Sequence, residues 1–104
     1  MKVHGLKKLD EFSKKHPLAR SWVQGWISDA KGAKWSCSQD IRNRYATASF
    51  LPTNLVIFNV KGNEYRMTTQ IAYKMGIVVI KWIGTHAAYS KINWDKATNE
   101  TNGR

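Results

Sequence analysis

Residues 56–67 of the chain, VIFNVKGNEYRM, decide the fold, because two alternating extended segments meet there at a glycine. We expect Gly62 and Asn63 to form a two-residue hairpin turn of the type that begins with glycine. This turn predicts that Lys61 pairs with Glu64, Asn59 with Arg66 and Phe58 with Met67. Because strand side chains alternate between faces, one face becomes apolar and the other polar. The expected core face holds Val56, Phe58, Val60, Tyr65, Met67 and Thr69, and the expected polar face holds Asn59, Lys61, Glu64, Arg66, Thr68 and Gln70.

A third extended segment covers residues 77–83, which are rich in valine and isoleucine. A two-residue turn at Met75 and Gly76 would place Lys81 opposite Gln70 on the polar face and Trp82 opposite Thr69 on the core face. A slip of one residue would bury the lysine, and the cost of that burial favours this register. Residues 55–60, 63–73 and 77–83 therefore predict an antiparallel meander, with residues 46–51 as a possible edge strand.

The first third of the chain has helical periodicity instead. Leu6, Leu9 and Phe12 recur at helical spacing, and Pro17 ends that segment. A second helix over residues 17–31 carries a wide apolar stripe and stops at Gly32. The predicted fold class is α+β, with two N-terminal helices packed on one face of a twisted antiparallel sheet of three to four strands. We expect a single domain over residues 1–94 and a polar tail over 95–104.

Charge gives the first indication of function. The 104 residues hold 17 Lys and Arg against 7 Asp and Glu, a net charge of +10, which favours a polyanionic partner, most simply nucleic acid. The same positive charge would also attract an anionic membrane surface or an acidic protein. The single cysteine, Cys37, and the absence of an apolar run or secretory signal predict a cytoplasmic protein that does not bind membranes.

The candidate site lies on the polar sheet face and just after the last strand. Thr85 is expected to cap a short helical turn that sets His86 and Tyr89 three residues apart on one side. A general acid or base would fit there, although an ordinary surface histidine explains His86 equally well. The sheet face adds Asn59, Lys61, Arg66, Gln70 and Lys81 as candidate contacts. A basic cluster of Lys34, Arg42 and Arg44 is either a solvated face or a track for an RNA strand.

Two stretches of the sequence carry a resemblance to a known family. The pattern Phe-Asn-x-x-Gly-Asn-x-Tyr-Arg at residues 58–66 and Ile-Gly-Thr-His-x-x-Tyr at 83–89 resemble HigB-type toxins of the RelE superfamily. The resemblance implies a RelE-like fold and an endoribonuclease that cuts messenger RNA on translating ribosomes. It also implies inhibition by a cognate helix-turn-helix antitoxin of the HigA type. Matched by motif, the implied catalytic residues are Arg66, His86, Tyr89 and Lys61.

The chemistry of RNA cleavage suits these residue types, because the 2′-hydroxyl of RNA supplies the nucleophile. A metal-free mechanism needs a proton acceptor, a cation for the phosphate and a proton donor. The histidines and the cysteine show no zinc spacing and no acidic pair indicates a magnesium site, so we expect neither metal nor cofactor. Two alternatives remain open: a non-catalytic RNA-binding module that uses the same sheet face, and a basic interaction protein that binds an acidic partner.

Overall fold

The structure of the protein, a computed structural model, describes residues 1–92. Its elements in chain order are strand β1 Lys2–His4, helix α1 Leu6–Lys15, a 3₁₀ turn Pro17–Ala19, helix α2 Arg20–Gly32, helix α3 Ser38–Arg44, strand β2 Ser49–Leu51, a second 3₁₀ turn Pro52–Asn54, strands β3 Leu55–Val60, β4 Tyr65–Ala72 and β5 Ile77–Thr85, and helix α4 His86–Ser90. The predicted α+β class is confirmed. The predicted tail 95–104 and the last two residues of the predicted domain lie outside the described residues.

The sheet has five strands in the order β1-β5-β4-β3-β2. Strand β1 pairs with β5 in parallel, and the other neighbours are antiparallel. The prediction of three to four wholly antiparallel strands is therefore wrong at β1. A strand of three residues is too short to show an alternating pattern in the sequence. Strand β1 is held in place by the Met1 ammonium group, which donates hydrogen bonds to the carbonyls of Ala30 at 3.0 Å and Ala33 at 2.7 Å.

The first hairpin has the predicted register. Asn59 pairs with Arg66 and Phe58 with Met67. The turn itself differs from the prediction, because the ladder ends at Val60 and Tyr65 and the left-handed residues are Lys61 and Gly62, with φ of 50° and 68°. Lys61 thus takes a backbone conformation that favours glycine and lies in a four-residue connection instead of the ladder.

The second hairpin departs from the prediction by two residues and a bulge. A four-residue connection replaces the two-residue turn, so Ala72 pairs with Ile77 and Gln70 with Val79. An irregularity between Thr68 and Thr69 then leaves Lys81 without a ladder partner, and Trp82 pairs with Thr68 instead of Thr69. The prediction that Trp82 lies on the core face is wrong. A β-bulge re-aims the side chains that follow it, and the sequence here carries no local sign of one.

The core forms between the helices and the sheet face that carries Phe58 and Met67. Trp26 of α2 is 1% exposed, and its ring packs edge-on against Phe58 at 5.5 Å between centroids. Helix α3 joins the same layer through Ile41, which is fully buried. Residues 33–53, to which the sequence assigned only a possible edge strand at 46–51, therefore supply a third helix over the core as well as the short strand β2.

Candidate active site

The sheet face opposite the helices, named the second face below, is less polar than the sequence suggests. It carries Arg66 and Thr68 from β4, Trp82 and Gly84 from β5, and Asn59 from β3. Leu55 and Ile57 share this face and are buried, at 7% and 2% exposure. The predicted division into one apolar and one polar face is therefore incomplete, because apolar side chains support the polar ones on the second face.

Arg66 is the central cation of the second face. It pairs with Asn59 on β3 and with Gly84 on β5. Its guanidinium carbon lies 5.8 Å from the centroid of the Tyr89 ring, within the range of a cation–π contact. The Nη1 atom is buried and has no hydrogen-bond partner, and Arg66 forms no ion pair with the carboxylates that the structure describes. This guanidinium is therefore held in place with hydrogen-bonding capacity unused.

Helix α4 carries the two candidate proton carriers and places one of them, Tyr89, beside this cation. The Thr85 hydroxyl accepts a hydrogen bond from the Ala88 backbone N–H at 3.1 Å, which confirms the predicted N-cap. The backbone N–H of His86 donates to the Glu64 carbonyl at 3.1 Å, which ties the start of the helix to the first hairpin. The His86 side chain is exposed and Tyr89 is partly buried. Exposure leaves the imidazole accessible to a substrate that reaches Arg66.

Trp82 is a site residue that the sequence analysis missed. Its ring centroid lies 6.1 Å from that of Tyr89, at an interplanar angle of 48°. A Cβ added to Gly84 would lie 2.6 Å from Cζ2 of Trp82 and 2.7 Å from Cη2, so the indole covers the backbone of that glycine. A glycine two residues after a tryptophan in a strand was the available signal, because strand glycines often mark close approach of another group.

Two of the three remaining predicted contacts on the sheet, Gln70 and Lys61, have partners of their own. Gln70 donates from Nε2 to the Thr53 carbonyl at 3.1 Å and so anchors the second 3₁₀ turn. The ammonium group of Lys61 lies 3.9 Å from a carboxylate oxygen of Glu64, inside the turn. Asn59 is partly buried beside Arg66. Of these three, Asn59 is the one that the ladder places next to the central cation.

Four predicted RNA contacts do not lie with Arg66. Lys81 projects from the bulge toward α1, where it lines a groove with Lys8, Glu11 and Lys15. Arg44 pairs with Asp29 of α2 at 2.9 Å, and the Arg42 guanidinium covers the Phe50 ring at 4.7 Å. Lys34 is exposed between α2 and α3. The three residues of the basic cluster therefore belong to the helical layer, across the sheet from the second face.

Tyr45, which follows Arg44 in the sequence, has a structural role. Its hydroxyl donates a hydrogen bond to Asp29, and its ring lies edge-on to Phe58 at 5.3 Å. Burial, together with the bond to the Asp29 carboxylate, raises the pKa of the Tyr45 hydroxyl. The Tyr45 side chain joins the end of α3 to the core, so its ring is not available to stack on a base.

Within residues 1–92, no group of three or more His, Cys, Asp or Glu side chains is arranged to hold a metal ion. No helix in that range has the length and apolar character needed to cross a membrane.

Comparison with known protein families identifies the family of the chain. A family model, HigB_toxin, described as the RelE-like toxic component of a toxin–antitoxin system, matches residues 19–92. No curated protein matches the chain. The matched residues include every element that builds the second face, from β3 to α4.

Proposed function

Because the chain belongs to the HigB toxin family, the RelE-like toxic component of a toxin–antitoxin system, we propose that it is an endoribonuclease that cuts messenger RNA without a metal ion. The observation that carries the proposal is the guanidinium of Arg66. It is partly buried, lies over the Tyr89 ring, and has a buried nitrogen without a hydrogen-bond partner among residues 1–92. The exposed His86 begins the helix that carries Tyr89. A preorganised cation that lacks an internal counter-ion is suited to charge that develops on a phosphate.

The proposed reaction follows from the chemistry of RNA. The 2′-oxygen attacks the adjacent phosphorus and loses its proton to a general base, while the bond from phosphorus to the 5′-oxygen breaks and that oxygen takes a proton from a general acid. The products are a 2′,3′-cyclic phosphate and a free 5′-hydroxyl. Arg66 stabilises the non-bridging oxygens, and Lys61 adds positive charge from the turn. His86 and Tyr89 are the proton carriers in this proposal, since both side chains can accept a proton from a reacting oxygen or donate one to it.

Recognition of the substrate and of the inhibitor uses the positive charge of the chain. The net charge of +10 attracts the phosphate backbone of a message, and we propose that cleavage takes place on translating ribosomes in the cytoplasm. Membership of this family implies that the protein has an antitoxin partner. We propose that the antitoxin is a helix-turn-helix protein with an acidic segment, which covers or distorts the surface around Arg66 and His86.

The test measures cleavage and the chemistry of its products. Purified full-length protein is added to ribosomes that are translating a defined message, and cut sites are mapped by primer extension. We expect 3′ ends that carry a 2′,3′-cyclic phosphate, and no cleavage where the nucleotide before the scissile phosphate is replaced by its 2′-deoxy form. Cleavage that survives the 2′-deoxy replacement would contradict the mechanism.

Two other outcomes decide between this proposal and the alternatives. RNA binding without cut sites, in the presence and absence of ribosomes, would favour a non-catalytic RNA-binding module. When the protein is expressed without the antitoxin, growth should stop soon after induction and messenger RNA should become shorter. Normal growth with intact messages would contradict the toxin activity in this chain.

A further inference from the structure

Trp82 lies where a large aromatic side chain is not needed for the core. Its ring lies on the same sheet face as Thr68 and Arg66, against Gly84 and Tyr89, and the residue also borders the groove beside α1. It is partly exposed, and exposed apolar surface next to a cation often marks a binding site. Trp82 is therefore a candidate contact for whatever ligand the second face binds.

Gly84 fixes the position of the Trp82 ring. The indole atoms Cζ2 and Cη2 occupy the space that a Cβ at residue 84 would need, at 2.6 Å and 2.7 Å. Real Cβ atoms do not approach other atoms so closely, so any other residue at this position would displace the ring. The glycine therefore allows the indole to lie against the strand backbone, where the sheet limits its motion.

This position puts the ring beside the cation of the site. Gly84 is the β5 partner of Arg66, and neighbouring strands are about 4.8 Å apart. Tyr89 contacts both groups, with its ring 6.1 Å from that of Trp82 and 5.8 Å from the guanidinium carbon of Arg66. A phosphate bound at Arg66 thus has an aromatic surface one strand away.

We propose that Trp82 is a stacking surface for an RNA base adjacent to the phosphate that Arg66 binds, and that Gly84 is the positioning residue for its ring. The inference rests on the proposed function and adds a base-binding residue to it. Every nucleobase has a flat π-face, so stacking tolerates different sequences and contributes about tenfold or more to affinity for each stacked base. The ligand class is single-stranded RNA with at least one unpaired base at the site.

The experiment measures affinity by fluorescence anisotropy at one fixed salt concentration, with the full chain. The probe is a labelled, fully 2′-O-methylated single-stranded oligonucleotide of about ten residues and mixed sequence, which has no 2′-hydroxyl to react. A second probe has the same backbone without bases. We expect Trp82→Leu to weaken binding of the first probe about tenfold and to leave binding of the abasic probe unchanged. Trp82→Phe should restore most of the affinity.

A matched control is available elsewhere in the chain. Trp22 is also partly buried, and its ring lies 6.1 Å from that of Tyr45, but it belongs to the helical layer. Trp22→Leu should leave both affinities unchanged. Gly84→Ala tests the positioning role without removing the ring: it should weaken binding of the base-bearing probe in the natural chain and have no added effect in the Trp82→Leu background. Thermal midpoints of all variants show whether each remains folded.

The outcomes separate the stacking inference from the proposed function. Equal loss on the base-bearing and abasic probes, or the same effect of Gly84→Ala in both backgrounds, would overturn the stacking role. The Gly84→Ala comparison on the two probes is sufficient if Trp82→Leu does not fold. A wild-type chain that cuts messages while Trp82→Leu binds as wild type would leave the function and remove the inference. If RNA binding depends on Trp82 but the chain cuts no RNA, the stacking inference stands and the proposed function fails.

Discussion

Thr68 and Thr69 are neighbours on β4 and both are fully buried, yet their hydroxyls are in different states. Thr69 points toward the helices and donates to the Val56 carbonyl at 3.0 Å. Thr68 points to the second face, and its hydroxyl has no hydrogen-bond partner among the residues that the structure describes. An unpaired buried polar group costs about 1–3 kcal/mol. Thr69 on the helix-covered side of the strand therefore has its hydrogen bond within the molecule, whereas Thr68 on the second face does not.

The same contrast extends along the strand. Three buried side-chain polar atoms in the described part of the chain lack a hydrogen-bond partner: Nε1 of Trp26, Nη1 of Arg66 and Oγ1 of Thr68. The last two are two residues apart on the second face. Native proteins keep few such groups, and a pair on one surface is typical of a functional site whose partners are supplied by water or a ligand. The helix-covered face forms the core, and the second face is the one to which we assign the proposed chemistry.

The largest effect on stability should come from the helix-covered face. Trp26→Ala removes a ring that is 1% exposed and in contact with Phe58, and we expect the free energy of unfolding to fall by about 3–5 kcal/mol. Denaturant titration followed by circular dichroism measures this change. RNA cleavage should be lost only to the extent that the protein unfolds. A loss below 1 kcal/mol would mean that this face does not carry the core.

Arg66→Ala should have the opposite profile. We expect cleavage to slow by about a hundred- to a thousandfold, because a preorganised cation at the phosphate is lost. The free energy of unfolding should fall by no more than about 1 kcal/mol, the size of the cation–π contact with Tyr89. Single-turnover cleavage on ribosomes and a denaturant titration measure the two quantities. Arg20→Ala, an exposed arginine at the start of α2, is the matched charge control and should cleave normally. If the variant loses clearly more than about 1 kcal/mol of stability as well as activity, Arg66 is structural.

His86→Ala should slow cleavage by about a hundredfold, the lower range for loss of a general acid or base. The side chain is exposed, and the Thr85 cap and the backbone bond to Glu64 do not depend on it, so helix α4 should persist. His86→Gln separates proton transfer from hydrogen bonding, because glutamine donates hydrogen bonds but does not titrate. Full cleavage by both variants would exclude His86 from the mechanism.

The fold was predictable where alternation and turn chemistry agree. The register of Asn59 with Arg66 could be read from the sequence, because a shift of one residue would expose Phe58. The second hairpin could not, since its four-residue connection and the bulge beside Thr69 arise from how the strands twist and pack. Strand β1 depends on tertiary contacts of a three-residue segment, which leave no periodic pattern.

The candidate site was predictable in part for the same reason. Arg66 lies on the correctly registered hairpin, and His86 and Tyr89 follow a cap that Thr85 announces in the sequence. Trp82 was assigned to the core because the register assumed for the second hairpin placed it there. The bulge reverses its face, and Lys81, which was expected beside Gln70, lies toward α1.

The smallest expected effects come from the two threonines and test the contrast directly. Thr69→Val deletes the donor to the Val56 carbonyl and should lower the free energy of unfolding by about 1 kcal/mol. Thr68→Val has the same change in shape and composition but removes a hydroxyl that makes no bond, so stability should stay the same or rise slightly. Each variant is the control for the other, because the residues are adjacent, equally buried and changed identically. Denaturant titrations of both variants against the natural chain resolve a difference of this size when the slopes agree. Equal losses would mean that Thr68 is also satisfied in solution, by water or by a partner bond, and the second face would then be as complete as the helix-covered one.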